Sequence, residues 1–210
     1  MGRVIDSVKT FIHYQLTMAQ SDLDPKDQQQ ILKDFKDNPE VFEKVYEFYY
    51  EMIIKYLAKR TMSSEVAYDL TAETFIKAFE SFGNFKWTGV SIKVWLYRIA
   101  INALKNYRRN PEYAPLNETL EGHEALVEDI REELKEMDKT LFGDDELAKL
   151  SDAIGTLKPS QQDVVTLYYF DEMSQNDIAK AIGKSVSSVK SLMHRAVTQL
   201  RQILAPNLSI

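Results

Sequence analysis

From residue 174 to 204 the apolar positions fall into two series separated by a glycine turn. The first is short and has written ends: Ser174 can cap it, Asp177 sits near its positive end, and Gly183 follows the last apolar residue, Ile182. After Gly183, Lys184 and Ser185, a second helix is predicted from Val186, Val189, Met193, Ala196, Leu200 and Ile203, which recur at three- and four-residue spacing, with Ser185 as its cap. The opposite face collects Ser187, Ser188, Lys190, Ser191, His194, Arg195 and Arg201, and no Asp or Glu follows Lys180. A short helix, a tight turn and a longer helix with a basic outer face make a DNA-reading device. The small serines allow close approach to base edges, while Lys190 and Arg195 can reach phosphate or guanine. An ordinary solvated helical hairpin is the competing reading.

The same periodicity organises the rest of the chain. Ile5, Val8, Phe11, Ile12 and Leu16 predict one helix and Ile31, Leu32 and Phe35 a second, with a polar break from Ser21 to Pro25. Packing on the next domain is favoured for these over docking a regulator. Asn38-Pro39 opens a helix through Phe42, Val45, Tyr46, Tyr49, Ile53, Tyr56 and Leu57, whose aromatics read as core. In the next helix, residues 64–80, Ala67, Leu70, Phe75, Ala78 and Phe79 share one side, while Asp69, Glu73 and Glu80 surround Ile76 on the other. An aliphatic residue ringed by charge has the form of a docking patch. A loop at 82–91 then sets Phe85, Lys86 and Trp87 side by side, and two readings stay open: rings that stack on unpaired bases, or rings tucked into the domain.

From 92 to 109, Trp95, Leu96, Ile99, Ala100, Ala103 and Tyr107 predict a buried side, opposite a row of Arg98, Asn102, Lys105 and Arg109. Such a row repels itself unless an anion is present, and a nucleic-acid backbone is the anion it suits. Pro111 and Pro115 end this helix, and a possible amphipathic helix follows on Leu126, Ile130, Leu134, Met137 and Leu141. Leu147, Leu150, Ile154 and Leu157, then Pro159 with Val164, Val165, Leu167, Tyr168 and Phe170, give two more helices and complete a four-helix C-terminal module.

Charge sharpens this picture. The net charge of −6 averages over opposed blocks. Residues 86–110 hold Lys86, Lys93, Arg98, Lys105, Arg108 and Arg109 and no acid, whereas residues 111–150 are strongly acidic. The acidic stretch reads as a linker that fends DNA off, fills a basic channel or is a solvated spacer. With 44% hydrophobic residues, no cysteine and His13, His123 and His194 far apart, the 210-residue chain has the composition of a folded protein without disulfide or metal cluster. No run is long enough to span a bilayer and no signal pattern opens the chain, so a cytoplasmic protein without membrane insertion is expected. No paired nucleophile and base, phosphate loop or cofactor motif is found, so no catalytic residue, metal or cofactor is assigned.

Two motifs coincide in order and spacing. DLTAETFIKAF (69–79) with VWLYRIAINALKNYRR (94–109) resembles region 2, and LKPSQQDVVTLYYFDEMSQNDIAKAIGKSVSSVKSLMHRA (157–196) resembles region 4, of the extracytoplasmic-function (ECF) bacterial RNA polymerase sigma factors. The resemblance implies an all-α fold of two small helical domains, regions 2 and 4, joined by an acidic linker and preceded by a short helical N-terminal extension. It divides the chain into 1–37 (extension), 38–110 (region 2), 111–143 (linker) and 144–210 (region 4). It also implies that Asp69, Glu73, Ile76 and Lys77 dock the clamp helices of the polymerase beta-prime subunit. Phe85, Lys86, Trp87, Lys93, Trp95, Arg98, Asn102, Lys105 and Arg109 would then melt and hold the minus-10 element. Ser187, Ser188, Lys190, Ser191, His194 and Arg195 would read the minus-35 element, the C-terminal module would meet the beta flap, and the linker would thread toward the polymerase active-site cleft and RNA exit path.

The partners so implied are core RNA polymerase, promoter DNA and an anti-sigma factor, with the free protein a monomer. The chain departs from the family pattern in Ser187-Ser188 for Gly-Thr, in Leu192 for an arginine, and in a loop one residue longer that carries Trp87. Three rivals are set against this reading. A sigma-like decoy is opposed by the row from Arg98 to Arg109, a dimeric helix-turn-helix repressor by the region 2 motif, and a catalytic domain with a DNA-binding tail by the missing catalytic groups.

Overall fold

A computed structural model of the chain describes residues 22–61, 63–109 and 144–204. Every regular element among the described residues is helical, and the chain divides into two compact units. The expected helix over residues 5–16 and the acidic stretch 111–143 lie outside the described residues.

The first unit is built from α1 (Pro25–Asp34), a 3-10 turn (Pro39–Phe42), α2 (Glu43–Thr61), α3 (Ser64–Phe82) and α4 (Ile92–Arg109). Polar side chains start them. Asp24 accepts from the Lys26 amide at 2.7 Å with Pro25 in the first turn, and Asn38 accepts from the Glu40 amide at 3.1 Å ahead of the 3-10 turn. The Ser91 hydroxyl accepts from the Val94 amide at 3.3 Å to open α4. A cap of this kind contributes about 1 kcal/mol because it satisfies a donor that the helix cannot. α2, α3 and α4 pack on one another, burying Val45, Tyr49, Ile53, Tyr56 and Leu57 against Ala67, Leu70, Phe75 and Ala78 and against Leu96, Ala100, Ile101 and Leu104.

Two expectations need correction. Tyr46 and Phe79, assigned to the core by periodicity, are 44% and 46% exposed; their rings lie at the rim, where Phe79 still meets Phe42 edge-on at 5.4 Å. On α4 the buried side also takes in Ile92, Val94, Tyr97, Ile101 and Leu104, whereas Trp95, Ile99 and Tyr107 are only half-buried. Both α2 and α3 cover α4, so its apolar face is wider than a single-sided helix needs and is turned away from the predicted centre.

Residues 22–37 are part of this unit. Phe35 packs edge-on against Phe42, Phe79 and Phe82, with centroids 6.2, 5.6 and 4.9 Å away. A boundary at residue 38 therefore cuts through a packed aromatic cluster, whose pairs each add about 0.5–1.5 kcal/mol beyond burial.

The second unit contains α5 (Asp144–Gly155), α6 (Pro159–Tyr169) and α8 (Val186–Leu204), and α7 (Gln175–Ile182) begins in it. α8 packs on α5 and α6 around Leu157, Val165 and Ala196, with Ile154, Tyr169, Met193 and Leu200 closing the cluster. Tyr168 and Ile203, expected inside, are both 37% exposed; Ile203 lies in the last turn of α8, beyond Leu200, the last residue of that helix packed in the cluster.

Candidate nucleic-acid interface

The turn between α7 and α8 has the predicted chemistry. The Ser174 hydroxyl accepts from the Asp177 amide at 3.1 Å and donates to the Asp177 carboxylate at 2.7 Å. Gly183 takes φ +68°, a conformation that only glycine adopts without strain, and the Lys184 amide closes α7 onto the Ala179 carbonyl at 2.9 Å. Ser185 then caps α8 by accepting from the Ser188 amide at 3.2 Å. Val189, Leu192 and Ala196 face inward and are buried. Ser187, Lys190, Ser191, His194 and Arg195 are exposed, and Ser188 is half-buried.

Leu192 therefore serves the core of this unit and offers the polar face no hydrogen-bonding group. Arg195 is braced by its Nε, which donates to the Ser191 carbonyl at 3.1 Å; that bond leaves aside the two terminal nitrogens that make paired contacts to phosphate or guanine. Ser187, Ser188, Ser191, Leu192 and Arg195 share a shallow concavity of about 340 Å³ with Ser160 and Lys184. Ser160 opens α6 and is brought to this face by the packing of α8 on α6, so periodicity within α8 gave no sign of it.

In the first unit Arg98, Asn102, Lys105 and Arg109 are all exposed along α4, and no acid among the described residues pairs with Arg98, Lys105 or Arg109. Lys93 and Trp95 at its start are half-buried. The adjoining loop separates its two aromatic residues. Phe85 stacks on Phe82 with centroids 6.4 Å apart and 16° between planes, and lies 4.8 Å from the Trp95 ring, so it is tucked in. Trp87 is half-buried, has no ring neighbour among the described residues, and stands beside exposed Lys86.

On α3, Ile76 is 60% exposed and flanked by exposed Asp69 and Glu80 and half-buried Glu73. Lys77 pairs with Glu73 four residues away, an exposed pair of little energetic weight that nonetheless leaves the patch acidic. Tyr68, 57% exposed, lies eight residues before Ile76 on the same stripe and enlarges the apolar area. Sequence reading passed over it because a lone exposed tyrosine is unremarked on a helix surface.

Family comparison gives the two units their context. Residues 45–111 match the model of Sigma-70 region 2, and residues 147–200 that of Sigma-70, region 4. The RNA polymerase sigma factor YlaC of Bacillus subtilis is 33% identical over 162 residues, spanning 76% of this chain and 90% of YlaC. The chain belongs to the ECF RNA polymerase sigma factors. The ECF sigma factor BldN of Streptomyces coelicolor is 28% identical over 165 residues, which are 79% of this chain but only 61% of BldN. The ECF sigma-E factor of Haemophilus influenzae is 29% identical over 160 residues, covering 75% of this chain and 84% of the relative.

Two solved structures share the sigma fold. CnrH, in complex with the cytosolic domain of CnrY, aligns with a TM-score of 0.58 at 20% identity over 86% of this chain and 97% of CnrH. RpoE of Bartonella quintana, in complex with the anti-sigma factor NepR, aligns with a TM-score of 0.54 at 19% identity over 78% of this chain and 96% of RpoE. As a sigma factor the chain acts in promoter-specific initiation of transcription by RNA polymerase. In it α2–α4 form region 2 and α5–α8 region 4.

Proposed function

We propose that this sigma factor divides promoter engagement between two helices. α8 reads duplex DNA at the minus-35 element through Ser187, Ser188, Lys190, Ser191, His194 and Arg195. α4 and the preceding loop open the minus-10 element: Lys93, Arg98, Asn102, Lys105 and Arg109 hold the backbone of the displaced strand, and Lys86 and Trp87 meet the extruded base. Phe85 and Trp95 support them from behind, consistent with their packed rings. Unstacking one base costs a few kcal/mol, which stacking on an aromatic face and phosphate contacts offset. The acidic patch of Asp69, Glu73, Ile76 and Lys77 docks core polymerase at the beta-prime clamp helices, and the C-terminal module meets the beta flap. The bond-making chemistry belongs to the polymerase, so the chain itself is not an enzyme.

The observation that carries this reading is the exposed row on α4, from Arg98 to Arg109, with no acidic partner among the described residues. Cytoplasmic action follows from the polymerase partner, and no helix among the described residues is long and apolar enough to cross a membrane. The RpoE complex with an anti-sigma factor supports assigning such a partner to this chain as well. The test adds the purified protein to active core polymerase on a genomic template and sequences the transcripts. Starts at a shared promoter sequence are expected, and transcripts no different from those of core polymerase alone contradict the reading.

A further inference from the structure

Gln28 is 1% exposed, 64 residues away in sequence from the helix that carries the basic row, and bonded to it. Its side-chain oxygen accepts from the Ile92 amide at 2.8 Å, and its nitrogen donates to the Leu23 carbonyl at 2.6 Å. The orientation is fixed by chemistry, since an amide N–H only donates and a carbonyl only accepts. Ile92 is the first residue of α4, and its N–H is one of the donors a helix start leaves over. Ser91 serves the Val94 amide, and the Ser91 carbonyl takes the Trp95 amide. Ile92 itself is 0% exposed, so water cannot reach its amide and Gln28 takes water's place.

The other end of the same short helix reaches the other end of the same loop. Phe35, at the C-cap of α1, packs on Phe82, the last residue of α3; Phe82 stacks on Phe85, and the Phe85 ring lies tilted against Trp95. Thus α1 touches the loop where it leaves α3 and where it enters α4. Region 2 as matched begins at residue 45, downstream of both contacts.

We propose that α1 is a bracket that sets the conformation of the loop at 83–91, with Gln28 the positioning residue for strand opening. The inference rests on the reading above that this loop and α4 engage the melted strand. Losing the Gln28 bond strands a buried donor, frays the first turn of α4 and releases Trp95 from Phe85, so the loop no longer presents Trp87 in one place. Docking to polymerase through α3 and duplex reading through α8 use other surfaces and are left alone.

The chain has only two tryptophans, Trp87 and Trp95, and both sit in this region, so intrinsic fluorescence reports on it directly. The full-length protein is compared with Gln28→Met, which keeps the volume and loses both bonds, and with Gln28→Glu. Its neutral carboxyl can donate and accept where the amide does, whereas its ionised form cannot donate. For Gln28→Met we expect acrylamide quenching of tryptophan to rise and promoter opening to slow roughly tenfold, the effect of one buried hydrogen bond. Opening is followed by 2-aminopurine in the minus-10 segment of a promoter found with the genomic template. Affinities for core polymerase and for minus-35 duplex should stay within about twofold.

Gln28→Glu should approach wild-type quenching as pH falls, when its neutral carboxyl can make both bonds, and depart from it as pH rises, when the carboxylate still accepts from Ile92 but faces the Leu23 carbonyl without a proton, a reversal that simple loss of packing does not produce. Phe35→Leu, which loosens the loop's other end, should raise quenching in the same way. A lowered melting temperature with wild-type quenching and wild-type opening per bound polymerase overturns the proposal. If the wild-type protein itself directs no promoter-specific transcripts, the functional reading fails, and the quenching series still judges the bracket.

Discussion

Single residues in this chain matter chiefly where burial leaves a polar group one partner. The Tyr49 hydroxyl donates to the Asp22 carboxylate, and burial, then that hydrogen bond and the nearby negative charge, raise its pKa well above the ordinary value near 10. Because the folded pKa is raised, the associated stability is complete below pH 10 and is lost as pH climbs toward the folded pKa, where the unfolded chain ionises first. Tyr49→Phe should cost about 1 kcal/mol at neutral pH from the lost hydrogen bond. The gap to wild type should shrink above pH 10 in denaturant titrations, and a gap that is constant to pH 12 contradicts the assignment. Asp22 shows where reading by periodicity stops: it lies in the polar break from Ser21 to Pro25, which looks like a linker until the fold supplies Tyr49, 27 residues on. Leu192 shows the reverse, since its place at the margin of the apolar stripe on a helical wheel is matched by its burial in the second unit.

At the scale of elements, local chemistry was legible wherever cap, turn and periodicity agreed. Ser174, Gly183, Ser185 and Pro159 mark helix ends in sequence and act at those ends in the structure. The positive φ at Gly183 makes a direct test possible, because a Cβ there meets nothing within 4 Å. Gly183→Ala should thus be penalised by backbone strain alone, about 1–2 kcal/mol, with minus-35 affinity lowered only as far as the turn between α7 and α8 shifts. A loss above about 4 kcal/mol in unfolding experiments would mean a clash and contradict the geometry. Exposed rows were legible too, since α4 shows Arg98, Asn102, Lys105 and Arg109 to solvent as their spacing requires.

The breadth of the buried face was not legible, because α4 is covered from two sides and a wheel knows only one helix. For the row itself, Arg98→Ala with Lys105→Ala should slow open-complex formation and lower the salt dependence by about 1.4 in log–log slope, two phosphate contacts to single strand. Polymerase affinity should be nearly unchanged, and equal loss of both activities contradicts the assignment of this face to DNA.

For the whole molecule, the net charge of −6 opposes DNA at long range, while α4 and α8 carry basic residues and no acid. Such a chain gains little by meeting DNA alone and much by meeting it as part of a polymerase that supplies further contacts. On the proposed assignment, the acidic apolar patch on α3 is the point on which both DNA faces depend. Ile76 is the centre of the patch at 60% exposure, with Tyr68 and Phe79 extending it and Asp69, Glu73 and Glu80 around it, an apolar anchor inside a charged rim.

Ile76→Glu keeps the fold, because the side chain already faces water, and places a fourth acid where an apolar contact is needed. Affinity for core polymerase should fall about 30-fold or more, as for a central anchor worth about 2 kcal/mol. Promoter-specific transcription should fall in parallel and recover as the variant's concentration is raised, whereas binding of the free protein to minus-35 duplex stays at the wild-type level. Unchanged polymerase affinity, measured by fluorescence anisotropy with a labelled chain, removes Ile76 from the interface. A loss of duplex binding in the same variant would show instead that α3 and α8 are energetically coupled, against the separation of the chain into two units.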